Sequence, residues 1–268
     1  MKTIIIKITA TLILFLLAGN AFAQNGKAAL TGVWKYEWEG WEGIAIISPS
    51  HFIWLLTGEN RQAFASPTPS ASEKAKSYDA LITEAGTWEL ESDKRVKTTR
   101  LYASNPDMKK TPFFWDFERA GSAMTAWIIQ PDGSRGAPIK SRKLADWSAS
   151  GNISMFHGVW EYVGQYGMYL QAGNYGAWFI LNGAQSEAST DEGKAKNFDA
   201  LNSSVAVGTH LGGNRYVWNV IHSKDPRNEK DAYFTDCDMS NPDMFKMWFI
   251  DAMGTKVGGE WQVKRIGR

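Results

Sequence analysis

Two acidic residues occupy matching places in the two halves of the chain, and carboxylates often act as general acids or bind metal ions. Asp116 lies between Trp115 and Phe117, and Asp236 precedes Cys237 in a similar run. Neighbouring side chains of a strand point to opposite faces. The alternation therefore predicts that both acids lie on an outer, solvated face and that the apolar residues face inward.

Other patterns of catalysis or metal binding are missing from the sequence. The four histidines are scattered, without the His-x-His or histidine-plus-carboxylate spacing of a zinc centre. The chain has no nucleophile elbow, phosphate loop or dinucleotide fingerprint. The single cysteine, Cys237, is interpreted as a buried thiol. We therefore predict no metal, no cofactor and no catalytic residue.

Aromatic residues are the main candidates for binding. The chain has 13 tryptophans, and aromatic residues make up 13% of it. Aromatic faces with polar tips suit planar or amphipathic ligands and sugar rings. The alternative interpretation is that these side chains simply fill the protein interior. The predicted ligand-binding residues are Trp54, Trp115, Tyr169, Trp178, Trp218, His222 and Tyr233.

A long internal repeat indicates how these residues are positioned. Residues 73–81 and 193–201 are nearly identical, and Gly32-Val-Trp34 returns as Gly158-Val-Trp160. A repeat of roughly 120 residues is a domain duplication, because solenoid and propeller repeats are roughly 20 to 50 residues long. The chain is therefore predicted to contain one domain twice.

Each copy reads as a series of short alternating segments separated by turn signals, which predicts eight strands. Eight strands close a small barrel. The predicted fold is all-β, with two tandem eight-stranded antiparallel barrels and one short helix after the third strand of each. The near-identical segments are these helices, and an apolar stripe predicts that they pack on the barrel as a plug or lid. Their lysines, Lys74 and Lys194, are placed on the solvated face, and segment 57–72 is predicted to form a flap over the first barrel.

The Gly-x-Trp segments at Gly32 and Gly158 resemble the opening motif of lipocalin and calycin barrels. The order of elements is also similar to that of the bacterial lipocalin-like domains. The resemblance implies that each tryptophan closes a barrel floor and packs against a basic residue of the last strand. The candidates are Arg142 or Lys143 in the first copy and Lys264 or Arg265 in the second. The predicted barrels cover 30–145 and 156–268, joined by a linker over 146–155.

The first residues resemble an export signal. Lys2 and Lys7 flank the start of an apolar stretch from about Ile8 to Ala18, and Ala21-Phe22-Ala23 supplies the small residues that a signal peptidase recognises. We therefore predict a signal peptide over 1–23. The protein is then exported, to the periplasm or the medium. The apolar stretch is shorter than the about 20 residues that span a bilayer, so no integral membrane segment is expected after cleavage. The formal charge of +1 and the lack of a basic stretch argue against a nucleic-acid partner.

The leading hypothesis is an exported lipocalin-like protein that binds a small hydrophobic or aromatic molecule in a barrel cavity. One alternative is an enzyme acting inside such a barrel, an isomerase, cyclase or hydrolase, which requires a polar cluster converging on one cavity. Another is a non-catalytic structural or interaction module of the cell envelope, which requires filled barrels.

Overall fold

The computed structural model describes residues 26–110, 112–148 and 153–268 of the chain. The predicted signal peptide lies outside the described residues, and the predicted linker lies partly outside them. The described chain begins in a short helix, 26–30 (α1). Within the described ranges, no helix has both the length and the apolar character needed to cross a membrane.

The first half of the chain forms a closed barrel in which each strand pairs antiparallel with the next and the last strand returns to the first. Helix α2 (Ala71–Asp79) follows the third strand, and a 3₁₀ turn, Pro106–Lys110, follows the fifth. The strands are β1 (Gly32–Trp38), β2 (Trp41–Ile47), β3 (His51–Gly58), β4 (Leu81–Leu90), β5 (Arg95–Ala103), β6 (Phe113–Ala120), β7 (Ala123–Ile129) and β8 (Arg135–Ala145).

The second half repeats this order in a second closed barrel, so the predicted fold class is confirmed. Helix α3 (Asp191–Ala200) again follows the third strand, and 3₁₀ turns cover Ser154–Phe156 and Pro226–Asn228. The strands are β9 (Gly158–Tyr162), β10 (Tyr166–Ala172), β11 (Tyr175–Leu181), β12 (Leu201–Gly212), β13 (Arg215–Ser223), β14 (Ala232–Asn241), β15 (Met244–Ile250) and β16 (Lys256–Gly267).

One fully buried tryptophan closes the end of each barrel. The indole Nε1 of Trp34 donates to a backbone carbonyl four residues earlier at 2.7 Å, and Trp160 does the same. Lys143 lies opposite Trp34 on β8, with its Nζ 5.1 Å from the ring centroid. Arg265 lies opposite Trp160 on β16, with its guanidinium carbon 4.0 Å from that centroid. These two cations, rather than Arg142 and Lys264, therefore cover the tryptophans.

The repeated helices lie at the junction of the two barrels. Their starts are fixed by side-chain caps, because Ser70 Oγ accepts from the backbone of Glu73 and Thr190 Oγ1 accepts from the backbone of Gly193. Helices α2 and α3 then pack against each other, instead of each closing the end of its own barrel as a lid. The amphipathic stripe was predicted from the sequence, but the surface that covers it was not.

The near-identity of the two segments has a structural explanation in reciprocal contacts. Lys74 Nζ lies 2.8 Å from Asp199 Oδ2, and Lys194 Nζ lies 2.7 Å from Asp79 Oδ2. Both lysine side chains are about three-quarters covered, not solvated as predicted. Because each copy gives and receives the same contact, the barrels are arranged about an approximate two-fold axis.

An apolar seam between the barrels extends from the helices along the strands. Thr83 Oγ1 and Ser203 Oγ, at equivalent positions of the two copies, meet across it at 2.8 Å. The buried residues of this core come from both barrels, and they are Val33, Ile44, Ile46, Ile53, Leu55, Leu81, Ala85, Tyr102, Val159, Met168, Leu170, Ala172, Ala177, Phe179, Leu181, Leu201 and Val205. A shared core of this kind makes the two barrels one unit.

The proline-containing loop after β3 reaches across the same seam. Arg61 pairs with Glu229 of the second barrel at 2.7 Å. Phe64 contacts Phe198 edge-on, with 5.7 Å between ring centroids. Segment 57–72 was predicted to cover the mouth of the first barrel, and it instead joins the two barrels.

A charge-swap experiment measures how much the reciprocal ion pairs contribute. We expect Lys74→Glu, which places a second carboxylate beside Asp199, to lower the free energy of unfolding by about 0.5–1 kcal/mol, because partly exposed pairs contribute little. The double variant Lys74→Glu/Asp199→Lys restores the attraction and should recover most of the loss in urea denaturation. A double variant no more stable than the single one would contradict this account.

Candidate ligand-binding cavities

The second barrel encloses a cavity of about 220 Å³. Three of its aromatic lining residues contact one another: the Phe249 ring centroid is 4.4 Å from that of Trp261 and 5.5 Å from that of Tyr233. A cavity of about 150 Å³ accommodates benzene, so this one has room for a one-ring or small two-ring molecule. The lining residues are Tyr162, Tyr169, Trp178, Ile180, Asn202, Ser204, Trp218, Asn228, Tyr233, Thr235, Met247, Phe249 and Trp261.

Polar atoms form one edge of this cavity. Trp178 Nε1 donates to Asn202 Oδ1 at 3.0 Å, so its hydrogen-bonding capacity is satisfied within the wall. Ser204 and Tyr233 bring hydroxyl groups to the lining, and the Ser204 hydroxyl lies 2.8 Å from Ser223 Oγ. The described lining residues include no charged side chain. The cavity therefore suits an uncharged ring with a hydrogen-bonding edge.

The first barrel encloses a smaller cavity of about 130 Å³. Its wall includes Trp54 and Phe113, whose ring centroids are 5.7 Å apart, together with Trp115. A buried ion pair also reaches it: Arg100 Nε lies 2.8 Å from Glu84 Oε1. The lining thus combines aromatic rings with a buried ion pair.

Burial dominates the electrostatics of the Glu84–Arg100 pair. The Glu84 side chain is 1% exposed, and burial raises the pKa of its carboxyl although the Arg100 charge opposes that shift. Arg100 is held from two further directions, because its Nη1 donates to the Met108 carbonyl at 3.1 Å and its guanidinium carbon lies 4.0 Å from the Phe113 ring centroid. The pair is therefore fixed in place within the wall.

The two interiors differ through an exchange of side chains between neighbouring strands. In the first barrel Trp115 of β6 donates its Nε1 hydrogen to Thr98 of β5 at 2.8 Å. In the second, Trp218 of β13 donates to Thr235 of β14 at 2.9 Å. Strands β5 and β6 correspond to β13 and β14, so tryptophan and threonine have exchanged places. The same hydrogen bond is kept while the indole moves to the adjacent strand, which gives each cavity its own shape.

Comparison with known proteins identifies no family for this chain. No protein-family model matches the sequence, and no curated protein matches it. Among solved structures, an uncharacterized protein of Saccharomyces cerevisiae aligns with 13% sequence identity over 86% of this chain and 96% of that one, with a TM-score of 0.44. The tandem barrels are thus established by the structure, and membership of the lipocalin-like proteins stays a prediction.

Six of the seven predicted ligand-binding residues line a cavity. The first-barrel residues Trp54 and Trp115 line the smaller one. The larger one is lined by Tyr169, Trp178, Trp218 and Tyr233. Tyr169 presents its ring, because its hydroxyl donates to Gln171 Oε1 in the wall. Strand alternation placed these side chains inward, as the structure finds them.

The seventh residue, His222, lies outside both cavities. Its Nε2 is 3.1 Å from Thr57 Oγ1 of the other barrel, and its Nδ1 is 3.7 Å from Glu229 Oε1. A β-bulge explains the error, because the pairing of β12 with β13 passes over Ile221. One extra residue turns His222 from the inner face to the seam. Strict alternation along β13 cannot anticipate that irregularity.

The two repeated acids, Asp116 and Asp236, form cross-strand ion pairs. Asp116 binds Arg95 through both carboxylate oxygens, at 2.7 and 3.2 Å, and Asp236 binds Arg215 in the same way at 2.9 and 3.1 Å. Hydrogen bonding to Arg95 is the largest cause that lowers the pKa of Asp116. Both acids stabilise the strand pairing as ion-pair partners. They are not solvated as predicted, because the arginines cover them and leave the Asp116 side chain 12% and the Asp236 side chain 22% exposed.

The thiol of Cys237 is fully buried in the second barrel. Burial raises its pKa to about 12, so it is protonated and unreactive at neutral pH. In the described part of the chain, no three potential metal-ligating side chains come together.

Sequence reasoning missed the charged pair of the first cavity. Alternation along β4 and β5 could have placed Glu84 and Arg100 on inner faces, but charged side chains are seldom fully buried. It also missed Asn202 and Ser204, whose polar side chains line the larger cavity. In β4, a charged residue at an inward position between Ile82 and Trp88 is the signal that would have identified Glu84. Strands β5 and β12 are themselves rich in polar residues, so Arg100, Asn202 and Ser204 carry no comparable signal.

Proposed function

We propose that this protein is an exported binding protein whose second barrel holds a small, uncharged aromatic molecule. The observation that carries the proposal is the cavity of about 220 Å³ with aromatic walls and one polar edge. Ring faces would stack on the ligand, and the hydroxyl and amide groups of Tyr233, Ser204 and Asn202 would recognise a polar atom on its rim. Export is supported by the signal-peptide pattern over 1–23.

Open space in both barrels favours binding over a purely structural module, because a structural module needs filled barrels. The Glu84–Arg100 pair is a polar cluster of the kind that the enzyme hypothesis requires. Its ion pairing and its hydrogen bond to the Met108 carbonyl fit a fixed wall better than a group that transfers protons. The binding hypothesis is therefore the one that the geometry supports best.

Quinoline is a suitable probe, since it has two fused rings and one hydrogen-bond acceptor. We expect saturation-transfer NMR and calorimetry to show binding with a Kd of about 0.1–1 mM, which is ordinary for a ligand of this size. Ser204→Leu extends an apolar side chain into the larger cavity, and the affinity should fall about tenfold or more because the space is lost.

The matched control is Ala126→Leu, which places the same side chain in the smaller cavity of the first barrel. This variant should retain quinoline binding, while Ser204→Leu loses it; circular dichroism establishes that both are folded. Equal loss in both variants, or no binding of quinoline and related one- and two-ring molecules by the natural protein, would exclude the proposed site.

A further inference from the structure

A third space lies outside the barrels, in a groove at their junction. It has a volume of about 640 Å³ and is bounded by the β1–β2 hairpin, the end of β3 and the 3₁₀ turn Pro226–Asn228. A neighbouring space of about 560 Å³ shares the lining residues Glu39, Gly40, Trp41, Gly58 and Glu59 with it. The two spaces therefore adjoin along a shared wall that includes the half-buried Trp41.

Arg61 is an unusual part of this groove. Its side chain is only 6% exposed, and its Nη1 donates to Glu229 Oε1 at 2.7 Å. Its Nε and Nη2 are buried and have no hydrogen-bond partner among the described residues. Burial also lowers its pKa, against the attraction of Glu229. Buried guanidinium donors without acceptors cost free energy, so their presence beside a groove points to a ligand that supplies the acceptors.

The surrounding charges limit what that ligand is. The groove is lined by Glu37, Glu39, Glu42, Glu59 and Glu229, against Arg61 and Lys140. Lys35 pairs with two of these acids, at 3.2 Å from Glu42 and 3.6 Å from Glu37. An anion that could satisfy Arg61 would meet the remaining carboxylates, and a cation would meet the Arg61 charge. A neutral molecule that both donates and accepts hydrogen bonds fits both.

We propose that the groove binds a neutral saccharide. The Arg61 side chain turns toward the groove on binding, so that hydroxyl and ring oxygens accept from its Nε and Nη2, which are buried without acceptors in the free protein. Hydroxyl hydrogens donate to Glu39 and Glu59, and the apolar face of a sugar ring lies on Trp41. This site is separate from the cavity of the second barrel and does not depend on the function proposed for it.

Cellobiose, maltose and N,N′-diacetylchitobiose are the probes, with binding to the full mature chain measured by calorimetry and saturation-transfer NMR. We expect at least one to bind, and Arg61→Met to weaken it about tenfold or more, because the fork of donors is lost. Arg61→Lys should weaken it similarly, since an ammonium group keeps the charge without the fork. Trp41→Ala tests the stacking surface independently, in case the Arg61 variants disturb the seam.

Arg135→Met is the control, because Arg135 lies on the outer surface of the first barrel, where it pairs with Asp116 at 3.2 Å. It should leave saccharide binding unchanged. Quinoline binding should survive Arg61→Met, and saccharide binding should survive Ser204→Leu, so that failure of one site is distinguishable from failure of the other. The proposal is overturned if no neutral probe binds at up to about 10 mM, if spermidine or an anionic sugar binds instead, or if binding persists in both Arg61→Met and Trp41→Ala.

Discussion

Trp160→Ala is expected to lower the free energy of unfolding by about 3–5 kcal/mol, the range for truncating a buried tryptophan. Trp160 is fully buried, contacts Phe245 edge-on at 4.7 Å between centroids and lies under the Arg265 guanidinium. Removal of the indole leaves a cavity where β9 and β16 close the barrel. It also leaves the Phe156 carbonyl without the hydrogen bond that Trp160 Nε1 donates to it. Since domains are stable by only about 5–15 kcal/mol, a large part of the total stability should disappear.

Urea denaturation followed by far-ultraviolet circular dichroism measures this loss, and two controls separate its causes. Trp160→Phe keeps an aromatic ring but removes the indole donor, so it should cost less than the alanine variant. Trp261→Ala makes the same truncation at a partly exposed residue that lines the larger cavity. Equal costs at Trp160 and Trp261 would mean that the floor residue has no special part in closing the barrel.

The floor of each barrel was predictable because its determinants are local and occur twice. The segments Gly32-x-Trp34 and Gly158-x-Trp160 mark the first strand of each copy, and the alternation of apolar residues predicts which side chains of that strand point inward. The choice between neighbouring basic residues was not predictable, because it depends on the register of the last strand. In the structure β8 places Lys143 opposite Trp34, and β16 places Arg265 opposite Trp160.

The junction of the barrels could not be predicted from the periodicity of one copy. The apolar stripe of such a helix must be buried against another surface, but the sequence does not show whether that surface belongs to its own barrel or to the other copy. The reciprocal pairs Lys74–Asp199 and Lys194–Asp79 depend on the arrangement of two copies in space. The groove beside Arg61 arises from the same arrangement, since Glu229 belongs to the second barrel.

The cavity walls were predictable where strands are regular and unpredictable where they are not. Trp178 and Tyr233 line the larger cavity as alternation requires. His222 does not, because the bulge at Ile221 reverses the faces at the end of β13. The corresponding bulge in the first barrel passes over Leu101, which leaves Arg100 facing inward and Tyr102 in the seam. One irregularity repeated in both copies therefore decides which residues belong to a cavity and which to the junction.

Arg100→Met should have an effect as large as the loss of Trp160. The substitution keeps much of the side-chain volume but leaves the Glu84 carboxylate, 1% exposed, without its opposite charge. Breaking a buried ion pair by removing one partner costs about 3–5 kcal/mol. The double variant Glu84→Gln/Arg100→Met removes both charges and should recover much of the stability. The second barrel supports this expectation, since Ser204 and Val220 stand at the equivalent positions and that barrel closes with uncharged side chains there.

The pH dependence of Arg100→Met gives an independent check. Burial already raises the pKa of Glu84, and loss of the Arg100 charge removes an interaction that opposes this shift. A carboxyl whose pKa is higher in the folded state binds more protons there than in the unfolded chain, so the stability of the variant should fall as pH rises from the unfolded value, about 4.3, through the raised folded value. Lowering the pH should therefore restore part of the stability that Arg100→Met loses, but it should not do so in the double variant. The measurement compares the urea midpoint of each variant with that of the natural protein at each pH. Parallel profiles for the single and double variants would show that the lost stability comes from packing rather than from an uncompensated charge.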